Sequence, residues 1–382
     1  MNKAVNLVIQ KVANQLDSLT SASTRPSTTA SISATNDIDA IKVWLAEFEA
    51  SPNTFTSYKQ CAERFMMWSI GCGLALSNIK REHIQDYQIF LANPHPHELW
   101  CGPAVARKNP KWKPFVKGLS NSSIKLNLQI LTTMYEYLVQ SNYLANNPFK
   151  LIKRKSARLS QINKGIERYL THKEWNYITE YLEKMPKKSA KEQPTYQRTK
   201  WIFSLLYLSG CRRSEITNAK MSDFIHKHDQ WWLKVVGKGN KYGEVPVPSA
   251  LLIALIEYRK SLKLPDFPSS IETDIALINN IKYTKGKLRA ISDSMLYKII
   301  KKTCHQIADA VKLVDPSAAY VIQKVSTHWL RHTSATHQVD AGIDIRIVKE
   351  NLRHSMLETT MRYQHTEEDA RYRETVDKFG VK

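Results

Sequence analysis

The segment from Thr327 to Thr366 constrains this chain more than any other stretch. It begins T-H-W-L-R-H-T and ends M-R-Y-Q-H-T. His328 and Arg331 are three residues apart, so a helix turns both to the same face. His354 follows in L-R-H-S, and Tyr363 lies nine residues beyond it. Any fold that gathers these groups presents a cationic face with one phenol behind it. That arrangement suits phosphate chemistry with a tyrosine nucleophile.

Two earlier segments sharpen the pattern: L-S-G-C-R-R-S-E-I at 208–216 and V-G-K-G-N-K at 236–241. Arg212 precedes Lys238 by 26 residues, and Arg331 precedes His354 by 23. In order and approximate spacing the set resembles the tyrosine recombinases, the phage-integrase family. Those proteins show a T-G-L-R-x-S-E-like box, a G-K-G-like hairpin, H-x-x-R, L-G-H-S and a terminal tyrosine. The resemblance covers roughly residues 37–366 and is strongest over 200–366. It implies a mainly α fold with a small β-sheet, arranged as a two-domain DNA clamp. An N-terminal helical (SAM-like) core-binding domain would precede an α+β DNA breaking-rejoining catalytic domain.

The side chains themselves fit metal-free strand cleavage. Arg212 and Arg331 remain charged and present planar forks that match two phosphate oxygens. Arg213 stands beside Arg212, but the S-G-x-R register with Glu215 three residues on selects Arg212. By resemblance, Lys238 is the general acid for the 5′-oxygen, with Lys241 of the same turn as the second candidate. His328 would bind the phosphate and help take the phenol proton, and His354 would donate to the other non-bridging oxygen. Glu215, by resemblance, holds the site together. His332 and His337 read as packing or surface residues. Tyr363 is the expected nucleophile; a free phenol is only ~0.1% ionised at neutral pH, so it needs the cationic site. Attack would give a 3′-phosphotyrosine and a free 5′-hydroxyl, with rejoining independent of metal and ATP. Two departures from the family pattern stand out. Cys211 and Arg213 flank Arg212 where apolar residues are commoner, and Arg353 replaces the usual glycine before His354.

Charge agrees with a polyanionic partner. Lys and Arg number 56 against 35 Asp and Glu, a net charge of +21. A protein this basic meets nucleic acid more often than any other polyanion. The five cysteines, Cys61, Cys72, Cys101, Cys211 and Cys304, are odd in number and contain no C-x-x-C. They read as reduced thiols of a cytosolic protein rather than disulfides or a zinc site. The pairs His95/His97 and His226/His228 lack matching partners and read as surface loops. No apolar run approaches the ~18 residues of a membrane span, and no signal peptide is visible.

Along the chain, residues 1–36 are Ser/Thr-rich and read as a disordered leader. Ile38, Ile41, Leu45 and Phe48 then recur at helical spacing after Asn36 or Asp37 as cap. Further helices are expected from near Thr54, from about Arg81, and from Ser122, the last stopping before Asn146-Asn147-Pro148. These make a four-helix core-binding domain over 37–149. Between the third and fourth lies a basic, aromatic segment at 93–118, with Trp100 and Trp112 among Arg107, Lys108, Lys111, Lys113 and Lys117. It reads either as a backbone-binding and stacking element or as a proline-stiffened loop packed on the bundle. Residues 150–168 form a linker with seven cations, Lys150, Lys153, Arg154, Lys155, Arg158, Lys164 and Arg168, expected to lie along the duplex.

The catalytic domain is expected over 169–366. A helix capped by Thr171 leads into a polar loop at 184–199 and an apolar helix from Trp201 to Ser209. Strands over 230–236 and 244–247 flank the G-K-G-N-K-Y-G turn, and helices start from Ser249 and Ser292. The amphipathic tail at 367–382 would, by resemblance, dock on a neighbouring protomer. Implied partners are core-type sites in double-stranded DNA, a homotetramer on paired sites and an accessory DNA-bending protein, in the cytoplasm at the nucleoid. The implied activity is integration or excision of a mobile element. Two rivals remain: a type IB topoisomerase-like nicking-closing enzyme, and a site-specific binder that does not cut.

Overall fold

The computed structural model describes residues 30–151, 168–190, 192–237, 241–281 and 288–353. The chain divides into two compact units between Ile162 and Asn163. Within the first lie α1 (Asp37–Ala46), α2 (Pro52–Gly71), α3 (Arg81–Ala92), the single turn α4 (His97–Trp100) and α5 (Asn121–Gln140). Asn36 caps α1 by accepting from Asp39 N, as its sequence signature predicts. For α5 the cap is Ser120 rather than Ser122, two residues earlier than expected.

The helices close around Phe65, whose ring meets Tyr87 edge-on at 5.0 Å and Phe149 at 5.7 Å. Asp37 ties the entry of α1 to the core: one carboxylate oxygen accepts Leu76 N at 2.8 Å, and the other accepts the Tyr143 hydroxyl at 2.9 Å. Residues 30–36, read from composition as the end of a disordered leader, pack on the bundle. Ser31 N donates to Ser141 O at 2.8 Å, and Ala34 is buried against the bundle with Ile32 beside it. At the other end, Pro148–Leu151 form a 3-10 turn that buries Phe149, so Lys150 belongs to the bundle and pairs with Glu136 at 3.6 Å.

The basic, aromatic segment resolves along its two kinds of residue. Trp100 and Phe115 are buried and meet Phe90 edge-on at 4.8 and 5.8 Å. Phe115 N donates to Trp100 O at 3.0 Å, and Gly102 N donates to Phe115 O at 2.9 Å, closing the loop on itself. Helix α2 grips it from below. Arg64 stacks on the Phe115 ring at 4.5 Å and donates to Pro114 O at 3.0 Å; Arg107 pairs with Glu63 at 2.7 Å and covers Trp112 at 5.0 Å. Trp100 is therefore a core residue, and Trp112 packs half-buried against the same cluster. Lys108 and Lys111 are exposed, whereas Lys113 is half-buried.

The second unit comprises α6 (His172–Lys184), α7 (Glu192–Ser209), α8 (Arg213–Asn218), β1 (Phe224–Lys227), β2 (Gln230–Val236), β3 (Tyr242–Pro246), α9 (Ser249–Ser261), α10 (Asp293–Val311), α11 (Pro316–Ile322), α12 (Thr327–Asp340) and α13 (Ile345–Leu352). Thr171 caps α6 in a full capping box with Glu174. Helix α7 starts eight residues or more before the apolar run that the sequence marks. Ser189 N donates to Glu192 Oε2 at 3.0 Å and Glu192 N to Ser189 Oγ at 3.2 Å, an S-x-x-E box the polar composition hides.

The sheet is antiparallel with order β1-β2-β3, and its inner face buries Phe224, Leu233, Val235 and Val245. Strand β1 escaped the sequence reading, and His226 lies in it rather than in a loop. Its two-residue turn uses His228 and Asp229, both at positive φ (49° and 56°), where Asn-Gly is the usual signal. The core gathers on α7, where Trp201 stacks on Tyr258 at 5.6 Å and donates to Leu277 O at 2.9 Å. All five cysteines are free, and four of them are buried. Among the described residues, no helix is long and apolar enough to cross a membrane.

Trp100→Ala should cost about 3–5 kcal/mol, read as a lower urea midpoint. Lys111→Ala should stay within about 0.5 kcal/mol of the parent. Equal effects would contradict the division between packed aromatics and exposed cations.

Candidate active site

Helix α7 ends at Ser209, and Gly210 turns the chain with φ +58°. Glycine is required twice here. The left-handed conformation disfavours a side chain, and a Cβ would lie 2.7 Å from Leu352 Cδ2. The turn sends Cys211 into the core and sets Arg212 at the N-cap of α8. Glu215 reaches back from the third helical position to accept Arg212 N at 2.6 Å. The same carboxylate accepts Arg212 Nη1 at 2.9 Å and Arg353 Nη2 at 2.5 Å. Arg213 turns elsewhere, donating to Asp293 at 2.9 Å.

Glu215 is only 2% exposed. Burial alone would raise its pKa; Arg353 and Arg212 reverse that and hold the carboxyl below its ordinary value. Arg331, from α12, is 3% exposed. Its Nη1 donates to Gly210 O at 2.5 Å and its Nη2 to Leu352 O. Two of the five guanidinium donors are thus fixed on main chain, and three remain. Burial, with Arg212 and Arg353 nearby, pushes its pKa down to about 10, so it stays charged at neutral pH. Arg212 is 39% exposed along its side chain and is open to a ligand. Crowding guanidiniums around one carboxylate stores repulsion that a bound anion relieves.

His328 occupies the same helix one turn before His332, and their Nε2 atoms are 2.8 Å apart. One ring must donate and the other accept, so at least one is neutral. Desolvation, then Arg331, Arg168 and Arg212, lower the His328 pKa and favour the neutral ring. His332, read from the sequence as packing or surface, is half-buried beside His328.

The β2–β3 hairpin approaches the same point. Gly237 N donates to Lys241 O at 2.8 Å, and a Cβ on Gly237 would lie 3.4 Å from Glu215 Oε1. Lys241 is exposed at the hairpin. Lys238, His354 and Tyr363 lie outside the described residues, as do Lys153, Arg154 and Lys155 and the 367–382 tail. The structure thus brings together Arg212, Glu215, His328 and Arg331, and adds Arg353, which the sequence marked only as a missing glycine.

One further cluster had no sequence signal. His172, His337 and Asp340 offer ligand atoms within 4.8 Å of one another. His337 is already committed, however: Nδ1 lies 2.9 Å from the Tyr207 hydroxyl and Nε2 lies 2.9 Å from Leu170 O. With Leu170 N donating to Thr333 at 2.9 Å, both backbone groups of Leu170 are tied to α12. The cluster is a clasp that positions the helix bearing His328 and Arg331.

The sequence profile described as the Phage integrase family matches residues 168–369, more than half of the chain. The chain belongs to the phage integrase family. This recombinase is 29% identical over 255 residues to the tyrosine recombinase XerC of Thermodesulfovibrio yellowstonii, covering 66% of this chain and 74% of that one. It is 27% identical over 327 residues to XerC of Oceanobacillus iheyensis, covering 85% and 88%. Its fold is similar to the XerH site-specific recombinase in a post-cleavage complex with a palindromic difH substrate (TM-score 0.59, 18% identity, 100% and 97% covered). The enzyme is thus a tyrosine-type site-specific recombinase, with the mainly helical fold and small sheet that the motifs imply.

Burial first, then His172, depresses the His337 pKa, partly offset by Leu170 O and Asp340. The unfolded chain then binds the proton first, so stability is complete above about pH 6.5 and falls as pH drops below it. Urea unfolding of the recombinase should lose up to about 1.4 kcal/mol per pH unit from this group. His337→Gln should flatten that slope, and an unchanged slope would contradict the clasp.

Proposed function

We propose that this recombinase cleaves and rejoins DNA at specific core-type sites through a 3′-phosphotyrosine on Tyr363. The observation that carries the reading is the convergence of Arg212 and Arg331, from segments more than a hundred residues apart, beside one ionised carboxylate. Two such forks match the non-bridging oxygens of a phosphodiester and gain strength as charge builds on phosphorus.

In this reading Tyr363 attacks phosphorus as its phenol proton passes toward His328. The bond to the 5′-oxygen breaks, and Lys238, or Lys241 of the same hairpin, protonates the departing oxygen. His354 donates to the other non-bridging oxygen. One phosphodiester is exchanged for one phosphotyrosine, so the bond energy is retained and ATP is not needed. The guanidiniums supply the charge neutralisation that a metal provides elsewhere. Attack by a partner strand's 5′-hydroxyl reverses the step and completes exchange. Exposed Lys108 and Lys111, half-buried Lys113, and Lys153, Arg154 and Lys155 of the linker would hold the backbone. The two units would form the domains of a DNA clamp, and tails from 367–382 would join four protomers on paired sites, with an accessory bending protein where the sites require it. The compartment is the cytoplasm, at the nucleoid.

The basic composition and the integrase motifs favour the integration or excision of a mobile element. The neighbour bound to the palindromic difH substrate favours a second reading, recombination at a fixed palindromic site. Similarity to XerC over 85% of the chain, including the N-terminal unit, weighs against a topoisomerase-like enzyme.

Purified protein mixed with nicked duplexes from the DNA flanking its gene should yield a denaturant-resistant adduct on a few defined sequences. Tyr363→Phe should yield none while binding the same duplexes. An adduct with the variant, or none with the parent despite binding, would contradict the assignment.

A further inference from the structure

Arg353 stands where the backbone favours glycine. It follows α13 with φ 55° and ψ 48°, a left-handed conformation that disfavours any residue bearing a Cβ. The side chain folds back across the turn: Nη1 donates to Asn351 O at 3.1 Å and Nη2 to Glu215 Oε2 at 2.5 Å. Arg212 returns the connection, its Nη2 donating to the Arg353 carbonyl at 3.4 Å. The two arginines are thus joined twice, once through a shared carboxylate and once through main chain. Strand β3 makes room for the arrangement. A Cβ on Gly243 would lie 2.5 Å from Arg353 Cδ and 3.4 Å from its Cγ, so any larger residue there displaces the side chain.

We infer that Arg353 is a positioning residue for strand cleavage: it locks Glu215, and through it Arg212, in the phosphate-binding pose, with Gly243 as its seat. The inference rests on the reading of Arg212 as a ligand of the scissile phosphate. It also joins three separate segments. The box at 212–215, the hairpin that carries the candidate general acid, and the turn that leads to His354 all meet on this one side chain. An arginine held in a left-handed conformation is explained if its head group makes contacts there that glycine cannot.

The test uses the full chain and a nicked duplex from the DNA flanking its gene. Arg353→Gly relieves the left-handed backbone and so keeps the fold. It should slow single-turnover adduct formation roughly 10- to 100-fold, the scale of a slightly misplaced catalytic group. Duplex affinity should change by less than about twofold. Glu215 is faced by Arg212, Arg353, Arg331 and Cys211. Losing one of the two cations that keep its carboxyl ionised should move the acid limb of the pH–rate profile to higher pH. Arg353→Lys should recover part of the rate, and Gly243→Val should mimic the loss with Arg353 still present. Cleavage by Arg353→Gly at the parental rate, with an unmoved acid limb, would overturn the positioning role alone. A parent chain that binds the duplex without forming an adduct would overturn the role and the underlying reading of the site together.

Discussion

The site depends on keeping the Glu215 carboxylate charged while burying it. A lone buried carboxylate neutralises itself by taking up a proton. Here the Arg212 amide, the Arg212 guanidinium and the Arg353 guanidinium all donate to it, so the charge persists. Once fixed, it reciprocates by orienting the cations around it. Arg331 is held independently, by carbonyls at the end of α7 and the end of α13. The guanidiniums are thereby set before a substrate arrives, and the cost of bringing like charges together is met during folding.

The scaffold serves that geometry through contacts that are individually ordinary. Gly210 lets α7 end sharply enough to present its carbonyl to Arg331. Leu170, clasped to α12 by Thr333 and His337, fixes the helix that carries His328 and Arg331. The hairpin lies with Gly237 against Glu215 and Gly243 against Arg353. At Gly243 the absence of a Cβ is what permits the approach, since a Cβ there would lie 2.5 Å from Arg353 Cδ. Helix ends, one strand and one turn thus meet at a point that no single element defines.

Much of this was legible in sequence because its signals are local. The helix starts at Asp37, His172 and Asp293 follow capping residues that the sequence displays. Strand β1 was hidden because its turn uses His228 and Asp229 in place of glycine or asparagine. The start of α7 was hidden because its cap sits in a lysine-rich stretch that reads as loop. The loop of Trp100 and Phe115 was ambiguous, since aromatic residues among cations pack a core or stack on a ligand with equal ease. The roles of Arg353 and His337 could not be read at all. Each depends on partners more than a hundred residues away, brought close only by the fold.

The central claim is that Arg212 acts by neutralising charge on the scissile phosphate. It is tested most directly by measuring adduct formation on a duplex whose scissile phosphate is an uncharged methylphosphonate. On the natural phosphate, Arg212→Ala should be slower than the parent by roughly 10²- to 10³-fold. On the methylphosphonate, which has lost the charge that Arg212 balances, the variant and the parent should react at similar rates. An Arg212→Ala variant equally impaired on both duplexes would contradict the account.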